Sequence, residues 1–187
     1  MEYVYHGSNI KGLKVIKPSK STHGKEYVYA TTSKEVATIF LSSKGNDLYY
    51  YLGNPNKEEP TVLVERKEGM FKDIFNVTGS IYTLDSKDFL YNQTSWSMEV
   101  VSEKEVIPIK EEYIDNVYDE LIRLNSMGKI KLYLYPDRPD FIPLDNSDLI
   151  TKIIRFEKNG YDVNRFFNMY PELVDEYKEI KNESINS

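Results

Sequence analysis

The sequence predicts an α+β fold, in which an antiparallel or mixed β-sheet is followed by a helical C-terminal segment. Short segments rich in β-branched and aromatic residues follow one another through the first part of the chain. Few are separated by a helix long enough to cross between parallel strands. After Lys110, apolar residues instead recur at helical spacing. We therefore predict a sheet domain over residues 1–110 and a C-terminal helical extension over residues 111–187, packed on the domain or beside it.

Composition narrows the classes of protein to consider. The chain has 187 residues, 40% of them hydrophobic and 29% charged, as in ordinary globular proteins. It has no cysteine, which excludes disulfides, zinc–thiolate sites and cysteine nucleophiles, and only two histidines, which argues against a histidine-rich metal site. The net charge of -6 disfavours a nucleic-acid partner. Without a signal-like N-terminus or an apolar run of about 20 residues, we expect a cytoplasmic protein that does not bind membranes.

The first elements have the clearest patterns. Met1 to His6 alternates aromatic and polar residues and predicts a strand, and the aromatic and β-branched content of Lys25 to Thr31 predicts a second. A helix should follow at once, because Thr32 and Glu35 have the spacing of a capping box. Its apolar residues then fall on one helical face: Val36, Ala37, Phe40 and Leu41.

The remaining strands and helices are predicted from the same two patterns, alternation for strands and helical spacing for helices. Further strands are predicted at Asp47 to Leu52, Thr61 to Glu65, Ser80 to Leu84, Met98 to Ser102 and Glu105 to Ile109. Phe71 to Phe75 is predicted as a short helix or turn. Helices are predicted at Ile114 to Leu124, Leu149 to Phe156 and Val163 to Ile180, the last of them broken at Pro171.

The end of the first strand carries the first candidate site. His6, Gly7 and Ser8 offer an imidazole, a backbone without a side chain and a hydroxyl to one small ligand. A histidine at a strand end before a turn glycine is the purely structural alternative. Two further residues follow in order along the chain, Tyr29 in the second predicted strand and Glu99 in a late one.

In these segments the sequence resembles the ADP-ribosyltransferase superfamily, in the His-Tyr-Glu branch that includes the poly(ADP-ribose) polymerases and related bacterial proteins. The matching segments are Tyr5 to Ser8, Gly24-Lys25 leading to Val28 to Thr31, Ser33-Lys34 with Ala37 to Phe40, and Glu99 to Val101 leading to Ile107-Pro108. They span about residues 3 to 109. The resemblance implies a split β-sheet with NAD bound as a substrate and with no metal.

The resemblance also implies a role for each candidate residue. Breaking the bond between nicotinamide and ribose leaves positive charge on the sugar, which the carboxylate of Glu99 would stabilise. His6 would bind the adenosine ribose, and Ser8 would assist. The nicotinamide would be held by a group of residues that supplies a backbone contact and flat rings: Gly7, Tyr27, Tyr29 and Phe40. Tyr27 and Tyr29 share a strand face, so either can be the stacking ring, and Tyr29 is preferred.

Three functions stay open at this point. The first is transfer of ADP-ribose from NAD to an unidentified protein or small molecule, or hydrolysis of NAD. Ser97 stands two residues before Glu99, where the arginine-directed toxins of the family carry glutamate, and this leaves the acceptor open. The second is a catalytically inactive binding module with the same fold, in which the candidate residues are ordinary core or surface residues. The third is an RNA 2'-phosphotransferase, which needs arginines, whereas the predicted sheet region has only Arg66.

Overall fold

The computed structural model describes residues 3–20, 25–43, 49–56, 59–94, 96–158, 160 and 162–185. These residues form a mixed α+β structure with a large antiparallel sheet, a small mixed sheet and helices that cover one face of the large sheet. The predicted α+β class is therefore confirmed. Among the described residues, no helix is long and apolar enough to cross a membrane.

The large sheet is built from seven strands of the described chain. They are β1 (Tyr3–Ser8), β2 (Ser19–Lys20), β3 (Glu26–Thr31), β6 (Gly79–Asp85), β7 (Leu90–Tyr91), β8 (Glu99–Ser102) and β9 (Lys110–Ile114). Their spatial order is β7-β8-β3-β1-β6-β9, all neighbours are antiparallel, and β2 pairs with β3. The predicted strand at Asp47 to Leu52 lies partly outside the described residues.

The small sheet has three described strands: β4 (Tyr51–Gly53), β5 (Thr61–Val64) and β10 (Ile130–Tyr133). Strand β4 runs antiparallel to β5, whereas β10 runs parallel to it. The described helices are α1 (Lys34–Ile39), α2 (Met70–Phe75), α3 (Val117–Ser126), α4 (Asp148–Lys158), α5 (Asn164–Met169) and α6 (Val174–Ile185).

Helix α1 begins one residue later than the sequence predicts. Ser33, not Thr32, is the N-cap, and its Oγ accepts a hydrogen bond from the Val36 amide at 3.2 Å. The same hydroxyl donates to the Glu35 carboxylate at 2.8 Å. The capping box with Thr32 was therefore wrong by one position, because the hydroxyl of Ser33 can satisfy the same end of the helix.

Two clusters of buried apolar side chains cover the two faces of the large sheet. The larger cluster joins α1, α2, α3, the small sheet and the C-terminal helices. The smaller one lies on the opposite face, where loop residues such as Leu13, Ile16 and Phe89 close over Val28 and Tyr82. The sheet therefore separates a helix-covered face from a loop-covered face.

The region after residue 110 is more than the helical extension we predict. It supplies β9 to the large sheet and β10 to the small sheet. Its helices contribute Ile153 and Phe166 to the larger core cluster, and Tyr170, which follows α5, joins them. The strand predicted at Glu105 to Ile109 was wrong: the described strand begins at Lys110, and within the predicted range Val106 makes one isolated bridge to Ile16. The predicted break at Pro171 is confirmed between α5 and α6.

Candidate functional site

The three principal candidates lie on three neighbouring strands of the large sheet. His6 is on β1, Tyr29 on β3 and Glu99 on β8, and these strands are consecutive in the sheet. In the register of these strands, Tyr5 of β1 is paired with Thr31 of β3, and Thr31 is paired with Glu99 of β8. Paired residues of an antiparallel ladder share a face, as do residues two apart on one strand. Tyr29 and Glu99 therefore belong to the same face of the sheet.

His6 belongs by alternation to the other face. It follows Tyr5 on β1, and its register partner on β6 is Tyr82, a residue of the loop-covered core cluster. Its ring turns toward β3, where Nδ1 lies 2.6 Å from the main-chain oxygen of Tyr29. The structure thus joins His6 to the backbone of Tyr29 and does not place the imidazole on the face that carries Glu99.

The hydrogen bond fixes the chemical form of the His6 ring. A carbonyl oxygen can only accept, so Nδ1 carries the proton, and in the neutral ring Nε2 is then an acceptor. Burial lowers the pKa of His6 below its usual 6.5, and the hydrogen bond with Tyr29 opposes that shift only in part. The half-buried ring is therefore neutral at pH 7 and suited to accept a hydrogen bond from a ligand hydroxyl.

The large sheet opens between β1 and β3. In the described strands, β1 shares six register pairs with β6 but only the pair Tyr5–Thr31 with β3. Beyond that pair, the free edge of β3 is taken by β2, which pairs Ser19 with Tyr27. The split begins at His6, whose side chain reaches across it.

Gly7 lies directly against helix α1. A Cβ added at this position would be 2.3 Å from the carbonyl oxygen of Ala37, a distance that no real Cβ adopts. Its lack of a side chain is therefore used for close packing of α1 on β1. The next residue, Ser8, accepts a hydrogen bond from the amide of Ile10 at 3.2 Å and so begins the turn after β1.

The two tyrosines of β3 differ in exposure. Tyr27 is buried, and its ring meets that of Tyr29 edge-on with centroids 5.8 Å apart. Tyr29 is half-buried, and its hydroxyl donates to the carbonyl of Lys25 at 3.1 Å. Of the two, Tyr29 has the more accessible ring.

Phe40 and Trp96 form an aromatic pair close to Glu99. Phe40 caps the C-terminal end of α1 and is 36% exposed, and its ring meets Trp96 edge-on at 5.9 Å. Trp96 lies in a turn that leads into β8, because its carbonyl accepts from the amide of Glu99 at 3.0 Å. The half-buried Glu99 therefore starts its strand directly after the turn that carries Trp96, whose ring in turn packs against Phe40.

A hydrogen-bonded network behind His6 is not evident in the sequence. The hydroxyl of Tyr82 accepts from the amide of Leu13 at 3.0 Å and lies 2.8 Å from the carbonyl of Ile10. Glu111 accepts from Ser80 at 2.7 Å, and also from the amide of Gly12 and from the same tyrosine hydroxyl. These bonds, with Ser80 first, lower the pKa of Glu111. The pairing of β6 with both β1 and β9 brings these residues together, so no local pattern could have identified them.

In the described part of the chain, no three His, Cys, Asp or Glu side chains are grouped so that they could hold a metal ion. Comparisons of the sequence and the structure with protein-family models, with curated proteins and with solved structures each found no match.

Proposed function

We propose that the chain binds NAD, breaks the bond between nicotinamide and ribose, and passes the ADP-ribosyl group to an acceptor or to water. The observation that supports this most is the adjacency of β1, β3 and β8, together with the shared face of Tyr29 and Glu99. A ring and a carboxylate on the same face of two neighbouring strands, at diagonal positions of their ladder, can hold a planar base and the sugar attached to it.

The chemistry needs a negative charge beside the sugar. When the glycosidic bond breaks, its electron pair stays on the pyridinium nitrogen, which gives neutral nicotinamide and leaves positive charge on the anomeric carbon. The carboxylate of Glu99 stabilises that charge. An oxygen of water or of the acceptor then bonds to the carbon, and its proton passes to solvent.

The other candidates fit a nucleotide to different degrees. Tyr29 and Trp96 offer half-buried rings, and the Trp96 ring packs against that of Phe40. Nε2 of neutral His6 is the acceptor that a ribose hydroxyl requires.

The test is release of nicotinamide from NAD, followed by chromatography. We expect release by the wild-type chain and a fall of about 100-fold or more in Glu99→Gln, which keeps the shape of the side chain and removes its charge. Glu103→Gln is the matched control, because Glu103 is exposed just after β8. Unfolding curves show that each variant is folded. Equal rates for Glu99→Gln and the wild type would remove Glu99 from the mechanism.

A binding module without catalysis is the second candidate, and three observations favour it. His6 belongs by alternation to the face opposite Glu99, Gly7 is covered by α1, and the Tyr27 ring is buried. Calorimetry separates the two candidates. Saturable NAD binding without nicotinamide release favours the module, and release that depends on Glu99 favours the enzyme.

A further inference from the structure

A second site lies next to the candidate carboxylate. A cleft of about 300 Å³ opens where the loop before β8, the start of α1 and the edge of the small sheet meet. Its polar lining comes from four parts of the chain: Ser33, Asn54, Glu59, Thr61, Ser97 and Lys129.

The cleft is held against the strand end that carries Glu99. The amide of Thr32 donates to the carbonyl of Met98 at 3.0 Å, and the hydroxyl of Thr61 approaches the sulfur of Met98 at 3.8 Å. Ser97 lines the cleft from the turn two residues before Glu99, and two residues of chain span at most about 7 Å. A ligand in this cleft is therefore a near neighbour of any sugar held at Glu99.

The lining matches a small, uncharged hydroxyl compound. Ser97 presents an exposed hydroxyl that can both donate and accept. The hydroxyls of Ser33 and Thr61 are already bonded to Glu35 and Asn54, and each keeps a lone pair that can accept from a ligand hydroxyl. One carboxylate, Glu59, and one ammonium, Lys129, cancel in charge, so the cleft has no net attraction for an anion. A volume near 300 Å³ is at the small end of ligand sites, enough for a compact polar molecule and too small for a whole dinucleotide.

We infer that this cleft is the acceptor site, and that the ADP-ribosyl acceptor is a small neutral molecule bearing hydroxyl groups. The inference rests on the proposed function. In the step it implies, an acceptor hydroxyl oxygen bonds to the anomeric carbon of the nicotinamide ribose. The glycosidic electron pair leaves with nicotinamide, and the hydroxyl proton passes to solvent.

The experiment measures how the ADP-ribosyl group is divided between water and an added alcohol. Glycerol is the probe, and methanol, which offers a single hydroxyl, is the comparison. For the wild-type chain we expect the ratio of alcohol adduct to free ADP-ribose, compared at equal concentrations of hydroxyl groups, to be higher for glycerol than for methanol, because the cleft binds the larger polar molecule. This ratio does not depend on the total rate of NAD consumption.

Two variants alter the cleft. Ser97→Phe fills it from an exposed position, and we expect the ratio to fall at least about tenfold, the loss that corresponds to 1.4 kcal/mol of binding. Gln93→Phe places the same ring elsewhere on the same exposed loop and should leave the ratio unchanged. Thr61→Val removes one hydroxyl at nearly constant volume and should lower the ratio in the same direction.

The outcomes separate the two proposals. Nicotinamide release with no more adduct per hydroxyl group from glycerol than from methanol, or with a glycerol ratio that is the same in Ser97→Phe and the wild type, overturns the acceptor site alone. Absence of nicotinamide release from the wild type overturns the proposed function and the acceptor site with it.

Discussion

The imidazole of His6 donates from Nδ1 to the main-chain oxygen of Tyr29 at the point where β1 and β3 separate. The bond spans 23 residues of sequence and ties the end of one strand to the middle of its neighbour. Because burial lowers the pKa of this ring, the folded state favours its neutral form.

We expect His6 to make the folded state less stable in mild acid. Its pKa is lower when folded than the usual 6.5, so the unfolded state binds more protons between these two values. The stability is fully present above about pH 6.5 and is lost as the pH falls below it. Urea unfolding between about pH 7.5 and about pH 5.5 should show this loss in the wild type and less of it in His6→Gln.

The chain's only other histidine gives the control for this experiment. His23→Gln should keep the pH dependence of the wild type, provided that His6 is its source. Direct titration of the imidazole by NMR should give a pKa below 6.5. A His6 pKa at or above 6.5 would contradict the prediction.

Gly7→Ala should destabilise the fold through a backbone clash. The new methyl would meet the Ala37 carbonyl oxygen at 2.3 Å, so α1 must move away from β1. We expect a loss of about 1–3 kcal/mol in the free energy of unfolding, measured in urea. In Gly79→Ala, by contrast, the nearest atoms belong to the side chain of Leu41, which can rotate, so that loss should be smaller. Equal losses in the two variants would argue against the close approach at Gly7.

Tyr82→Phe should loosen the loop that follows β1. The variant keeps the buried ring but removes the hydroxyl that bonds Leu13, Ile10 and Glu111. We expect about 1 kcal/mol of lost stability, because the partly buried hydrogen bonds to the Leu13 amide and the Ile10 carbonyl are lost. Tyr91→Phe removes a hydroxyl from an exposed ring and should change stability by less than about 0.5 kcal/mol. Hydrogen exchange at the Leu13 amide should accelerate in Tyr82→Phe alone.

Much of the fold follows from local pattern. The strands β1, β3, β5, β6 and β8 and the helices α2 and α4 each lie within about two residues of their predicted positions, because their apolar residues repeat with a clear period. Strand β9 is different. It is short and charged, and its position depends on pairing with β6 rather than on its own sequence. The apolar run just before it leaves Ile107 and Ile109 exposed, which no local rule anticipates.

The candidate site also depends on strand pairing that local sequence does not determine. Sequence order placed His6, Tyr29 and Glu99 on three strands, and those strands are neighbours. It could not assign their faces, since a shift of one residue in register turns a side chain to the other side of a sheet. The register that sets Tyr5 opposite Thr31 puts Glu99 on one face and His6 on the other.

The C-terminal region should depend on an ion pair between a buried guanidinium and a partly exposed carboxylate. The side chain of Arg66 is 1% exposed, and two of its nitrogens lie 2.8 and 2.6 Å from the carboxylate of Asp148 at the start of α4. Asp148→Ala leaves the buried guanidinium without this counter-charge and should cost about 3 kcal/mol. Arg66→Met removes the charge itself and should cost less. In urea, the free energy of unfolding of the double variant should be close to that of Arg66→Met. Additive losses of stability would instead show that the two residues do not couple.

The single tryptophan of the chain gives a direct probe of the candidate site. Trp96 contacts Phe40 and lies in the turn before Glu99, so its emission reports on this region alone. If the nicotinamide end of NAD binds at these rings, NAD should change Trp96 emission saturably, and ADP-ribose, which lacks nicotinamide, should change it less. Tyr29→Leu should weaken the response by about tenfold, the loss of one aromatic contact worth about 1.4 kcal/mol. Tyr91→Leu, on an exposed ring of β7, is the matched control and should respond like the wild type. A response to ADP-ribose equal to that of NAD would mean that the nicotinamide does not lie beside Trp96.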